Sequence, residues 1–287
     1  MKNTYTFLAV LYCLSVLSYG KSKNSPAAIS PPRLVKMIVF PGTVSEKQYN
    51  FNADGLIANI QNHNDIVIAS FTYDVNQNLL TADFAAGFFS PTAAQSNTFV
   101  YDSSNIIVMR NGYPVYYFSE TNSYKNTLDP DPNYGTTWKL HSNGLLADEW
   151  AAYMDEGNLV IVDGVGAGID DSGDLTGSSH DGDYPHFWRH LLVENPAQAG
   201  FYPLCKAMAI TNFNHNGFKF VDAMFYSSHL YSEDFYDLLD PESYKYMYEM
   251  NAFNQPINQY RTNFYLGEEG NTFLYALYYY EGDIIPD

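Results

Sequence analysis

The sequence predicts a mixed α/β fold (α+β in layout) with strands dominant. Three observations carry that expectation. Short apolar runs rich in β-branched residues recur between turn-forming residues. Two longer segments have a helical reading. The composition, 46% hydrophobic and 17% aromatic, belongs to a packed globular chain and excludes a disordered or fibrous one.

Taken in order, the first element is a leader. Lys2 precedes an apolar run from Phe7 to Leu17, and Ser18-Tyr19-Gly20 supplies small residues at the −3 and −1 positions of a cut. Residues 1–20 are therefore expected to be a secretory signal peptide, too short in its apolar part for a comfortable bilayer span. Residues 21–32, with three prolines, read as an extended leader. A single domain is expected over 33–287, secreted to a lysosomal or extracellular destination, with no membrane contact after cleavage.

Arg33–Phe40, stopped by Pro41-Gly42, reads as a buried strand. Asp65–Tyr73, Asn105–Met109 and Asn158–Val162 read likewise, and Asn111-Gly112 is a strong turn signal. Leu145–Met154 carries no Pro or Gly and is expected to be helical. Ser232–Asn251 also reads as helical, with a break or a new start at Pro241. Residues 164–183 read as a loop, with Asp170, Asp171, Asp174, Asp181 and Asp183 close together; a solvated acidic connection is the plainer reading and a calcium loop the sharper one, although the spacing matches neither an EF-hand nor a glycine-rich repeat. No internal repeat recurs at a fixed period.

Charge excludes some functions. Lys and Arg total 14 against 32 Asp and Glu, a formal net charge of −18. A broad basic face for nucleic acid and an affinity for anionic membranes are both excluded at neutral pH. Tyr is abundant at 26, a residue that serves cores and wet binding surfaces alike. Cys13 falls in the leader, which leaves Cys205 alone in the mature chain, flanked by Leu204, Ala207 and Met208 as a buried thiol would be. An intermolecular bridge and a nucleophile are its other readings.

His180, His186 and His190 fall within eleven residues beside Asp181 and Asp183. Nitrogen and oxygen donors that close are weak candidates for a metal, although the spacing matches no recurrent zinc motif. A surface cluster that titrates in mild acid is the plainer reading. Lys139 and His141 lie two apart, so on a strand both leave the same face. An imidazole beside an ammonium can attack a phosphate and steady its oxygens. No nucleophile elbow, phosphate-binding loop or dinucleotide fingerprint is present, and no cofactor is expected.

Several short segments, in order, resemble the deoxyribonuclease II family. They are Leu34–Thr43, Phe71–Asn76, Ile107–Pro114, His141–Leu146, Gly157–Asp163, Asp183-Tyr184-Pro185 and Leu204-Cys205. The resemblance implies a phospholipase D-like fold, a sheet flanked by helices with its second half reduced. It also implies metal-independent acid hydrolysis of DNA through His141, with DNA a partner at acidic pH. Asn143 stands where that family has Lys, and the second His-x-Lys motif is missing. Lys139 would have to replace the lost charge, and a homodimer would have to supply the second His. Catalysis is therefore expected to be weakened or lost, as in a pseudoenzyme. Phe84–Pro91 and Asp155–Val160 look instead like bulb-type mannose-binding lectins, implying a secreted carbohydrate-binding or surface-interaction protein. A tyrosine-rich structural protein is a third reading.

Overall fold

The computed structural model describes residues 30–88, 92–125, 135–142, 146–155, 158–180, 183–208, 227–236 and 242–285. The leader and Asn143 lie outside them, as does Pro241. Residues 33–287 form one compact unit.

Nineteen strands and one helix are described in that unit. The first strands are β1 (Leu34–Val39), β2 (Lys47–Phe51), β3 (Ile57–Asn62), β4 (Val67–Tyr73), β5 (Leu79–Phe84) and β6 (Gln95–Tyr101). Then come β7 (Ile107–Arg110), β8 (Tyr113–Pro114), β9 (Tyr116–Phe118), β10 (Ser123–Lys125), β11 (Gly135–Leu140) and β12 (Leu146–Asp155). β13 (Asn158–Ile169), β14 (Leu175–His180) and β15 (Asp183–Glu194) precede the helix α1 (Gln198–Met208). The chain closes with β16 (His229–Tyr236), β17 (Glu242–Met250), β18 (Pro256–Tyr265) and β19 (Glu268–Tyr280).

Nearly every strand pairs antiparallel with its sequence neighbours. β8 and β9 are two pieces of one line, joined where Val115 N donates to Val108 O at 3.0 Å. β1 pairs with β2 on one edge and with β19 on the other. The meander is thereby a closed ring, and closure removes the unpaired edges that open sheets must protect.

This architecture corrects the α/β expectation. No sheet flanked by helices is present among the described residues. Leu145–Met154 is strand β12, held between β11 and β13, because freedom from Pro and Gly permits a helix without demanding one. Ser232–Asn251 contributes β16 and β17. On β17 Tyr244, Tyr246 and Tyr248 turn inward while Lys245, Met247 and Glu249 are exposed, a period of two. Among its described residues the acidic loop is mostly strand: β13 runs to Ile169 and β14 starts at Leu175, with a turn at 170–174 between them.

That turn belongs to a recurring device. Six hairpins share one construction, at Asn52, Asn62, Asp74, Asp102, Asp170 and Asn251. In each, the side-chain Oδ1 of the first residue accepts from the backbone N–H groups two and four residues on, at 2.8–3.2 Å. Its own N–H donates to the carbonyl four residues on, and its carbonyl accepts from the N–H three residues on. The fourth residue is left-handed each time, Gly55, Asp65, Gln77, Asn105, Gly173 or Asn254, with φ between +58° and +85°. An Asp or Asn side chain satisfies both orphan donors locally, which a Ser or Thr hydroxyl does more weakly. Asn111 and Gly112, at φ +50° and +80°, make the two-residue turn between β7 and β8 that their sequence predicts.

One contiguous core lies inside the ring, including Met37, Ile60, Leu79, Phe99, Tyr124 and Trp138. Along β4–β6 the inward residues are Ala69, Phe71, Ala82, Phe84, Asn97 and Phe99, and the outward ones include Thr72, Asp83, Ser96 and Thr98. The outward face is mixed, since Val67 on β4 and Val100 on β6 are also exposed. No helix among the described residues is long and apolar enough to cross a membrane. The helix α1 buries Phe201, Leu204 and Ala207, with Ala197 just before it. Phe201 meets Tyr49 at 5.3 Å and Phe51 at 6.3 Å, so α1 docks on the β2–β3 hairpin.

Gly200 makes that docking close. A Cβ there would sit 2.6 Å from Phe51 Cε1 and 2.7 Å from the Gly55 carbonyl oxygen, and the backbone atom cannot yield. Gly200→Ala should destabilise by about 1–3 kcal/mol despite the better helix propensity of alanine, as read by urea unfolding. The shared turn is testable by a paired substitution. Asp102→Ala should lose about 1–2 kcal/mol in the same measurement, and Asp102→Asn close to none, since Asn fills that position in three sibling turns.

Candidate functional site

The connection between β15 and β16 contains α1, and its two ends meet at a polar junction. Asn195 N donates to Ser228 O at 2.8 Å and Asn195 Nδ2 to Ser227 O at 3.0 Å. The β13–β14 turn reaches the same place. Asp174, only 5% exposed, accepts from the His229 backbone N–H with Oδ1 at 2.8 Å, and its Oδ2 lies 2.7 Å from His229 Nδ1. Ser228 N adds a bond to Gly173 O at 3.3 Å. One carboxylate thus fastens a hairpin turn to the first residue of β16.

Beside it stands a second histidine. His190 Nε2 is 3.0 Å from Ser227 Oγ, and its ring packs edge-on to Tyr231 at 4.7 Å. A Ser–His contact invites a nucleophilic reading, which the surroundings oppose. Ser227 is 0% exposed, and its hydroxyl donates to Tyr231 Oη at 3.3 Å. That proton is directed at Tyr231 and not at His190, so the arrangement is not that of a serine primed by a base.

Burial holds the His190 imidazole below the ordinary histidine value. The carboxylates of Asp174 and Asp170 pull it up, and His229 pushes it further down. The consequence for stability has a definite sign. As pH falls through the ordinary histidine value, near about 6.5, the unfolded chain takes up this proton and the folded chain resists it. His190 therefore subtracts stability increasingly below that pH, and its contribution levels off once the folded value is passed.

The histidines singled out by sequence are distributed unequally. His190 enters the junction. His180 and His186 lie on β14 and β15, with backbones paired to Asp183 and Ser178. Among the described residues, no group of three or more His, Cys, Asp or Glu side chains is placed to hold a metal. His141 follows the end of β11, half-buried, its carbonyl accepting from Asn122 Nδ2 at 3.0 Å, while Lys139 is exposed on β11. Asp174 was visible as part of an acidic run. Ser227 and His229 carried no sequence signal as its partners, because 55 residues separate Asp174 from His229.

No protein-family model matches the chain, and no curated protein is significantly similar to it. Among solved structures, a porin-like protein from Bacteroides uniformis aligns at 10% identity and a TM-score of 0.35, covering 88% of this chain and 99% of that one. A TcdB2–TccC3 structure aligns at 14% identity and a TM-score of 0.30, over 87% of this chain and 13% of that one. A porin-like protein from Bacteroides vulgatus gives 10% and 0.25, over 70% and 97%. Scores at this level establish no common topology. The deoxyribonuclease II resemblance is corrected by the antiparallel ring itself, which has no pair of α/β halves to bring two catalytic histidines together. The nuclease, hydrolase and pseudoenzyme readings fall with it, and no comparison supports the lectin reading.

Urea midpoints should drop as pH is lowered from about 7.5 to about 5.5. His190→Gln should flatten that slope, because glutamine keeps a donor toward Ser227 and has no proton to gain.

Proposed function

We propose that the chain is a non-catalytic β-scaffold whose helical connection is fastened at neutral pH and loosened in acid. The observation that carries this is Asp174. It is buried, it spends both oxygens on His229, and through them it ties the β13–β14 turn to β16. A junction whose serine is inaccessible and whose carboxylate is consumed by structure has nothing left with which to turn over a substrate.

Its acid response follows from the groups that face it. Asp170 and Asp174 come from the β13–β14 turn, His229 from β16 and His190 from β15. Asp174 already directs both of its oxygens at His229. A charge gained by His190 meets a buried setting, which resists it, and the neighbouring His229 opposes it further.

Hydrogen exchange along Gln198–Met208 tests the reading. After correction for intrinsic rates, α1 should exchange about tenfold faster at about pH 5 than at about pH 7.5. Asp174→Asn should exchange quickly at both. Equal protection of α1 at the two pH values, with the rest of the ring intact, would exclude an acid-loosened connection.

A further inference from the structure

Arg261 occupies the middle of β18, opposite Tyr246 on β17 and Phe273 on β19. Four rings surround its guanidinium carbon: Tyr244 at 4.6 Å, Phe273 and Tyr275 at 4.9 Å, and Phe40 at 5.6 Å. They come from β17, β19 and the residue just past β1, so the closing seam of the ring builds the box. The rings brace one another. Phe40 meets Tyr275 edge-on at 4.9 Å, and Phe273 meets Tyr275 at 6.4 Å. Phe40 is left-handed at φ +54°, a conformation costly for a bulky residue, and its N–H is held by Tyr275 O at 2.8 Å.

No carboxylate side chain among the described residues pairs with the boxed cation. The guanidinium makes no hydrogen bond and no ion pair among the described residues, and its Nε is buried without a partner. This is so in a chain with 32 carboxylates. Glu242, on the strand that supplies one wall, accepts instead from Tyr244 Oη at 2.9 Å. Aromatic faces stabilise a guanidinium and fix its plane, and they leave its N–H donors unspent. A cation held rigid, part-desolvated and unpaired is the preorganised half of a bidentate oxoanion contact.

We propose that Arg261 is the receptor for a small oxoanion, a carboxylate or phosphate group presenting two oxygens in one plane to the guanidinium fork. The net charge of −18 favours a compact ligand of low charge over a polyanion, which the whole surface would repel. The site is independent of the histidine junction.

The test is an anion titration of the full chain at constant ionic strength, with sodium acetate and inorganic phosphate as probes and sodium chloride as the reference. The expected result is a saturable rise in Tm with acetate, phosphate or both, above the chloride baseline. The Arg261 Nε–Hε resonance should shift along the same binding curve. Response to acetate alone assigns a carboxylate, and response to phosphate alone assigns a phosphate. Arg261→Lys keeps the charge and loses the fork, so affinity should fall roughly tenfold or more. An unmoved resonance, or a response indistinguishable from chloride, overturns the proposal, as does an undiminished response in Arg261→Lys. The resonance is read on the unaltered chain, so the outcome stands even where the variant does not fold.

Discussion

The pairing of β1 with both β2 and β19 is the constraint on which the rest of this structure depends. A long antiparallel meander has two exposed edges, each a row of unsatisfied donors and acceptors. Joining the ends satisfies both rows at once and forces every strand to have an inside. The inside is then filled rather than left as a lumen. Core residues from the strands occupy it, and α1 lays Phe201 and Leu204 against it. The same closure brings Phe40, at the end of β1, beside Tyr275 on β19, and so assembles the box around Arg261.

Filling a ring with tyrosine requires that the phenols be satisfied. Tyr278 Oη donates to Gln259 Oε1 at 2.7 Å, Gln259 Nε2 donates to Tyr248 Oη at 3.1 Å, and Tyr248 Oη donates to Tyr231 O at 2.8 Å. Burial pushes the Tyr248 and Tyr278 phenols above their ordinary value, so they stay neutral donors at any physiological pH. The chain of bonds runs from β19 through β18 and β17 to Tyr231 on β16, whose ring lies against His190. Abundant tyrosine is thus a core material here, apolar in body and polar at a tip that finds a partner.

Some of this was legible in the sequence. The runs at Leu34–Val39, Val67–Tyr73 and Ile107–Arg110 are strands because β-branched residues between turn formers have few other options, and Asn111-Gly112 fixes its hairpin. The six Asx turns were legible locally, since each shows Asn or Asp three residues before a residue able to be left-handed. Their irregular spacing hides them from a search for a fixed period. The helical expectations failed for a physical reason: β12 and β17 are each flanked by two bonded partners, and ladder formation overrides weak propensity. The family resemblance rested on short apolar segments ending in turn residues, and any strand followed by a tight turn supplies those. Asp174, Ser227, His190 and His229 converge only through topology, so no local pattern could announce them.

The two polar sites illustrate opposite solutions to one cost. A buried charge must be paired, neutralised or stacked against something polarizable. At the β13–β14 turn the carboxylate of Asp174 is paired, and burial holds the adjacent His190 below the ordinary histidine value, so a proton gained there costs the junction stability. On β18 the guanidinium cannot be neutralised, because arginine does not give up its proton at any physiological pH. Stacking then carries what pairing would have, and the N–H groups remain unspent. One site therefore responds to acidity and the other to anions, and the difference follows from the side chains' own acid–base chemistry inside a common closed sheet.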